Sequence, residues 1–316
     1  MNVLIIGAGA IGIALGATLS QSGAAVSFYA SDATKKAIEQ GGIRRTGIFG
    51  GLSIPSGRFS LHTSYKTLPA GAFDFVLICA KTLSNDEISR SLAARKDCLK
   101  PAGKLVIVQN GWGNDIPYLR YFPKETVYSC RVITGFRRTA LNESEVTVHT
   151  APLLFGSLFG YDSACMAPLA TALSQGGLPA EPTDQVDKAL LAKLLYNTTL
   201  NPLGAVLNVN YGKLAEVPES KAIMDDLIEE TFSVLQAAGL NTFWTDAEEY
   251  KAVFYGKLVP DTYDHRSSTL QDIEKQQKTE IDTLTGCILR LAKSNHVPAP
   301  THTMLYRLIK SLEAQF

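Results

Sequence analysis

Two groups of residues combine type and spacing in ways that could do chemistry. Gly7-Ala8-Gly9-Ala10-Ile11-Gly12 is a G-x-G-x-x-G run that follows the apolar stretch Asn2–Ile6 and opens a segment with Ile11, Leu15 and Leu19 at helical spacing. In that setting Gly7 permits a tight turn, Gly9 lets the backbone approach a pyrophosphate, and Gly12 lets helix and strand pack closely. The free N–H groups and positive dipole end of the helix then attract the phosphates of a dinucleotide, NADP or NAD. A glycine-rich structural turn is the alternative. The second group is Lys193, Asn197 and Asn201 in a leucine-rich helical stretch. Each step of four residues rotates about 40° around a helix, so the three form one polar stripe. Buried, such groups need partners, and a ligand is one; a solvent-facing side is the other reading. Pro202 is expected to end or kink that helix and to expose Asn201.

The ribose of the dinucleotide is read one strand further on. The second strand ends in Tyr29-Ala30-Ser31-Asp32, where an acid suits the NAD ribose and an arginine suits the NADP 2′-phosphate. Asp32 favours NAD. Ser31 could instead hydrogen-bond a 2′-phosphate, with Lys35, Lys36 or Arg44 supplying charge, although each of those cations alone reads as a solvated helix face.

The elements that must position these groups follow from apolar periodicity. Val26–Ala30, Phe73–Ala80 and Lys104–Gln109 read as buried strands alternating with helical stretches Ile11–Ser22 and Ser31–Gln40, the pattern of βαβ units and a parallel sheet. Further strands are expected near Val127–Ile133, Val146–His149 and Leu153–Phe155. Gly176–Asp187, with two prolines, two glycines and three acids, reads as a linker. Beyond it Lys188–Leu200, Ser220–Ala238, Asp246–Leu258, Ser268–Ser294 and Thr301–Ala314 show helical spacing without convincing strands. The expected architecture is an α/β Rossmann-type domain over residues 1–182 followed by an all-α domain over 183–316.

Thirty basic residues balance thirty acidic ones among 316, so no global field recruits nucleic acid or an anionic membrane. Five scattered cysteines without a C-x-x-C pair argue against a disulfide scaffold and a zinc site, so no metal is expected. No segment approaches the ~20 apolar residues of a membrane span and no leader is evident at Met1, so a cytoplasmic protein is expected.

In order along the chain stand the glycine fingerprint, Lys81 in Cys79-Ala80-Lys81-Thr82, Asn110-Gly111, the K-L-x-x-N-x-x-x-N-P helix from Lys193 to Pro202, and Ser267–Ile273 leading to Thr279–Asp282. By these motifs the chain resembles the ketopantoate reductase (2-dehydropantoate 2-reductase) family over nearly its whole length. The resemblance implies Lys193 as the catalytic acid, with Asn197, Asn201 and Ser268 on the substrate. It implies Lys81 and Asn110 at the cofactor ribose and nicotinamide, Asn110 also at the substrate, and Glu280 as a second catalytic residue beside the nicotinamide end. Solvated or turn-forming roles for Lys81 and Asn110-Gly111, and simple charge pairing for Glu280, are the bland alternatives. Ser268 and Glu280 lie about 18 Å apart along a straight helix, so Ser268 is expected in an entry turn with Glu280 facing the cofactor.

Two positions depart from the family pattern. Ser31 stands where the family commonly has arginine, and His265 stands where some relatives have asparagine. The implied activity is NAD(P)H-dependent reduction of a small 2-keto acid, with 2-dehydropantoate foremost and NADP the expected cofactor. An NAD-dependent D-2-hydroxyacid dehydrogenase of the same fold is the nearest alternative, and a non-catalytic dinucleotide sensor is the alternative from another class. Helical second domains often carry oligomer interfaces, and a homodimer is one assembly open to this chain, but no seam in the sequence fixes a count.

Overall fold

The computed structural model describes residues 1–316, which divide into two compact units. The first comprises Met1–Asn110 and Asn114–Asp187; the second comprises Gly111–Gly113 and Lys188–Phe316.

The first unit begins β1 (Asn2–Ile6), α1 (Ala10–Gln21), β2 (Ala25–Tyr29), α2 (Asp32–Gly41), β3 (Ile43–Gly47), β4 (Leu52–Ile54), β5 (Phe59–His62) and β6 (Phe73–Ile78). It continues with α3 (Asn85–Ala93), β7 (Leu99–Ile107), α4 (Ile116–Leu119), β8 (Val127–Arg131), β9 (Thr134–Ala140), β10 (Glu143–His149), β11 (Leu153–Gly156), α5 (Ala167–Gln175) and β12 (Ala180–Pro182). Eight strands form one sheet in the order β12-β11-β8-β7-β6-β1-β2-β5, parallel except where β11 meets β8 antiparallel. β1 and β6 are apolar on successive residues because both faces of the sheet are covered, one core cluster lying on each side. The stretch read as a linker is partly ordered, since β12 pairs in parallel with β11 before α6 begins.

A second sheet, β4-β3-β10-β9, has no counterpart in the expected strands except Val146–His149. Its strands hide because Arg45 occupies an inward position of β3, which breaks the apolar alternation. Arg45 is only 1% exposed, and its guanidinium donates to Thr18 Oγ1 at 2.7 Å and to the Gly176 carbonyl at 3.1 Å. Those acceptors belong to the C-terminal ends of α1 and α5, where the helix dipoles are negative and answer the buried cation in place of a carboxylate.

The second unit is helical, with α6 (Val186–Leu207) starting at the boundary, then α7 (Tyr211–Glu216), α8 (Pro218–Ala237), α9 (Ala247–Val253), α10 (Val259–Asp261), α11 (Ser268–Glu274), α12 (Thr285–Ser294) and α13 (Pro300–Glu313). The expected single helix over Ser268–Ser294 is two helices, broken by residues 275–284, in which Gln276 takes a positive φ of 53°. α6 also corrects the reading of Pro202, since it runs through the proline to Leu207 and leaves Asn201 buried. An interior proline costs a helix about 3 kcal/mol, and full burial of the flanking Leu200 and Leu203 offsets that cost.

Candidate active site

In the first unit the predicted cofactor residues gather on one edge of the large sheet. The strand order β7-β6-β1-β2 sets the carboxyl ends that lead to Asn110, Lys81, the glycine turn and Ser31 side by side. Carboxyl ends of parallel strands are where α/β sheets bind ligands.

The three glycines do different things there. Gly7 has φ +102°, and a Cβ on it would strike the backbone of Cys79 and Ala80, so this position admits only glycine. Gly12 is buried against the Gly7 carbonyl oxygen, which makes it the helix–turn packing residue. A Cβ on Gly9 would meet nothing within 4 Å, so its half-buried backbone borders open space. Gly9 caps α1 without any side-chain hydrogen bond, and the first turn carries no acid. The half-buried Ala10 and Ile11, with buried Ala8, complete the turn, whose uncapped N–H groups and positive dipole end fit a pyrophosphate.

Behind this edge lies a buried polar network absent from the sequence reading. Gln109 Nε2 donates to the Ala80 carbonyl at 2.6 Å and to Asn85 Oδ1 at 2.8 Å, Asn85 Nδ2 donates to Gln109 Oε1 at 3.0 Å, and Tyr118 Oη donates to Asn85 Oδ1 at 3.1 Å. The network fastens the residue before Lys81 to the residue before Asn110. Lys81 itself is exposed, and half-buried Asn110 accepts a bond on its carbonyl from Asn114 Nδ2 at 2.7 Å.

Ser31 is exposed and caps α2, accepting from the Thr34 N–H at 3.4 Å and donating to Thr34 Oγ1 at 3.1 Å. The same Thr34 hydroxyl accepts from Arg138 Nη2 at 2.9 Å, so β9 delivers a guanidinium to the β2–α2 junction. Arg138 has no carboxylate partner, and partial burial lowers its pKa. Among the nearby cations Lys35 pairs with Glu39, Arg44 with Glu143 and Arg137 with Glu145, whereas exposed Lys36 has no ion pair. No sequence signal marks Arg138, because it lies 104 residues from Thr34.

In the second unit Lys193 and Asn197 are half-buried on α6 and Asn201 is 3% exposed, so the stripe is not a solvated face. Leucines 191, 194, 195, 200 and 203 are buried around the rest of the helix, which explains why it sits in a core. Asn201 Oδ1 accepts from Tyr211 Oη at 2.5 Å, and its backbone carbonyl accepts from Ser267 Oγ at 3.2 Å. Ser267 is fully buried and also accepts from the Leu270 N–H at 3.0 Å, capping α11. The neighbouring serine pair thereby divides its roles, with Ser267 fixing the cap and Ser268 exposed in the first turn. Glu280 is half-buried in the segment before α12, its carbonyl accepting from the Thr283 and Leu284 N–H groups. Gly111, at φ +93°, is pressed onto the Thr283 carbonyl of that segment, an approach that a Cβ would block.

Residues 3–158 match ketopantoate reductase PanE/ApbA, and residues 185–313 match ketopantoate reductase PanE/ApbA C terminal. A 2-dehydropantoate 2-reductase of Aquifex aeolicus is 34% identical over 314 residues, covering 99% of this chain and 97% of its own. That of Halobacterium salinarum is 26% identical over 240 residues, 75% of each chain. The crystal structure of a PanE/ApbA family ketopantoate reductase from Ralstonia eutropha superposes with a TM-score of 0.84 at 26% identity, covering 100% of this chain and 99% of its own. A D-mandelate dehydrogenase, solved with NADH and anilino(oxo)acetate, shares the fold at a TM-score of 0.84 and 22% identity over 100% of this chain and 99% of its own. Family matches along both units and a full-length relative agree, and the chain belongs to the ketopantoate reductase PanE/ApbA family of oxidoreductases.

Proposed function

We propose that this chain reduces 2-dehydropantoate to (R)-pantoate with NADPH, using Lys193 as the general acid. Residues 1–182 hold the dinucleotide in this reading, and 183–316 carry the substrate and catalytic groups. The observation that carries it is the polar line of Lys193, Asn197 and Asn201 along a helix otherwise packed with leucine, with Asn201 97% buried (3% exposed). A relative aligned over 99% of this chain and named for this reaction supports the substrate.

The bound nicotinamide supplies the hydride that reaches the C2 carbonyl carbon. Lys193 Nζ gives a proton to the carbonyl oxygen and stabilises its charge as it develops. Asn197, Asn201 and Ser268 orient the acid by hydrogen bonds that add no charge. Gly7 to Gly12 hold the pyrophosphate, Lys81 and Asn110 the ribose and nicotinamide, and Glu280 the nicotinamide end. NADP is preferred over NAD in this reading because Ser31 and the unmatched Arg138 meet at Thr34.

A panel of 2-keto acids with NADPH and NADH tests the assignment. The expected result is highest kcat/KM for ketopantoate with NADPH, and a loss of about 10²–10⁴ in kcat for Lys193→Ala. Near-normal turnover in Lys193→Ala removes this lysine from the acid role. The second reading, an NAD-dependent D-2-hydroxyacid dehydrogenase, is favoured by Asp32, an acid suited to the NAD ribose diol, by Ser31 in place of the family's arginine, and by His265. Better turnover of another 2-keto acid with NADH would select it.

A further inference from the structure

Asn201 is almost wholly enclosed, yet its hydrogen bonding is one-sided. Its Oδ1 accepts from Tyr211 Oη at 2.5 Å, whereas its Nδ2 makes no hydrogen bond to the protein. The NH2 group is not sealed in the core: it keeps the little exposure that Asn201 has, so its two donors face accessible space and are open to an acceptor that a ligand would bring. A carboxamide can turn over and exchange its oxygen and nitrogen at little cost unless a neighbour forbids it.

Tyr211 is that neighbour. The Tyr211 ring is 2% exposed and stands between Tyr196, edge-on at 5.8 Å between centroids, and His265, tilted at 5.0 Å. Its backbone N–H donates to the His265 carbonyl at 3.1 Å, and that of Gly212 to the Tyr263 carbonyl at 2.9 Å. Burial raises its pKa, so the phenol stays protonated and remains a donor. A fixed donor facing Asn201 keeps Oδ1 turned inward.

We infer that Tyr211 is a positioning residue that locks the Asn201 carboxamide with its NH2 outward, so that this position selects substrates offering an acceptor oxygen, a carboxylate or carbonyl, there. The inference rests on the proposed placement of Asn201 at the substrate. It also gives His265 a part, since the residue that departs from the family pattern packs on the ring that orients Asn201.

Steady-state kinetics of Tyr211→Phe, Asn201→Ala and the double variant test this. Tyr211→Phe keeps the ring and is expected to raise the keto-acid KM roughly ten-fold, with the NADPH KM and the melting temperature little changed. In the Asn201→Ala background the same change is expected to add nothing, because the phenol acts through that carboxamide. Asn201→Asp, which keeps an oxygen for Tyr211 but replaces the NH2, is expected to raise the keto-acid KM at least as far as Asn201→Ala. An unchanged KM in Tyr211→Phe, additivity in the double variant, or wild-type KM in Asn201→Asp overturns the inference while leaving the proposed reaction intact. A normal keto-acid KM in Asn201→Ala overturns both the placement of Asn201 and the inference.

Discussion

Arg138 carries a charge that no carboxylate answers, at the junction where a Rossmann sheet reads the ribose. Its Nη2 bonds to Thr34 Oγ1 and to the Leu141 carbonyl, while Nε and Nη1 make no protein hydrogen bond. A 2′-phosphate approaching Ser31 would gain a charge-assisted bond worth about 1.5–3 kcal/mol. Arg138→Gln is therefore expected to raise the NADPH KM about ten-fold or more and to leave the NADH KM nearly unchanged, measured side by side. Equal effects on both cofactors would show that Arg138 serves the fold and not the 2′ position. From the sequence, Lys35, Lys36 and Arg44 are equal candidates for that charge. The pairing of Lys35 with Glu39 and of Arg44 with Glu143, which leaves Lys36 unpaired, is a matter of chain geometry that spacing does not reveal.

Among the elements, the β1–α1 turn separates binding from packing glycine by glycine. A methyl at Gly9 meets nothing within 4 Å, and φ there is −85°, so Gly9→Ala fits the fold. It places a methyl where the pyrophosphate would approach and is expected to weaken NADPH about 10–100-fold, or roughly 1.4–3 kcal/mol, with an unchanged melting temperature. Gly12→Ala drives the new Cβ into the Gly7 carbonyl and is expected to cost about 1–3 kcal/mol of stability by overpacking. Isothermal titration and thermal unfolding of the two variants check the contrast, and a reversed pattern would refute it. The strand–turn–helix unit was legible because all three glycines and their apolar flanks lie within the first ~20 residues. The β3–β10 sheet was not, because its inward Arg45 is stabilised by helix ends that lie far along the chain. Pro202 misled for a similar reason, since local propensity predicts a helix end there and burial on all sides overrides it.

Across the whole molecule, the two units hold separate cores, and the helical unit carries a buried polar pair that ties stability to pH. In the helical unit, burial alone would raise the Glu230 pKa, but hydrogen bonds from His302 and from the Thr301 and His302 N–H groups outweigh it and hold the carboxyl at about 2. His302 is fully buried and the Glu230 side chain 13% exposed, so solvent screens the pair weakly. A carboxyl lowered on folding stabilises above its unfolded pKa of about 4.3, and that stability is lost as pH falls towards 2. Glu230→Gln is thus expected to destabilise by on the order of 3 kcal/mol at pH 7, the gap narrowing as pH falls from about 4.5 to 2. Urea unfolding across that range checks it; a gap independent of pH would assign the loss to packing instead. No helix is long and apolar enough to cross a membrane. By itself the sequence determined the glycine turn, the alternation that builds a parallel sheet, the helical second half and the polar stripe on α6, because each is written within one or two turns of chain. Only the tertiary structure decided that Asn201 is enclosed, that Tyr211 holds its oxygen, that Ser267 donates to the Asn201 carbonyl, and that Arg138 reaches Ser31's partner Thr34. Those facts depend on residues 10 to 104 positions apart, whose meeting is set by packing and not by local spacing.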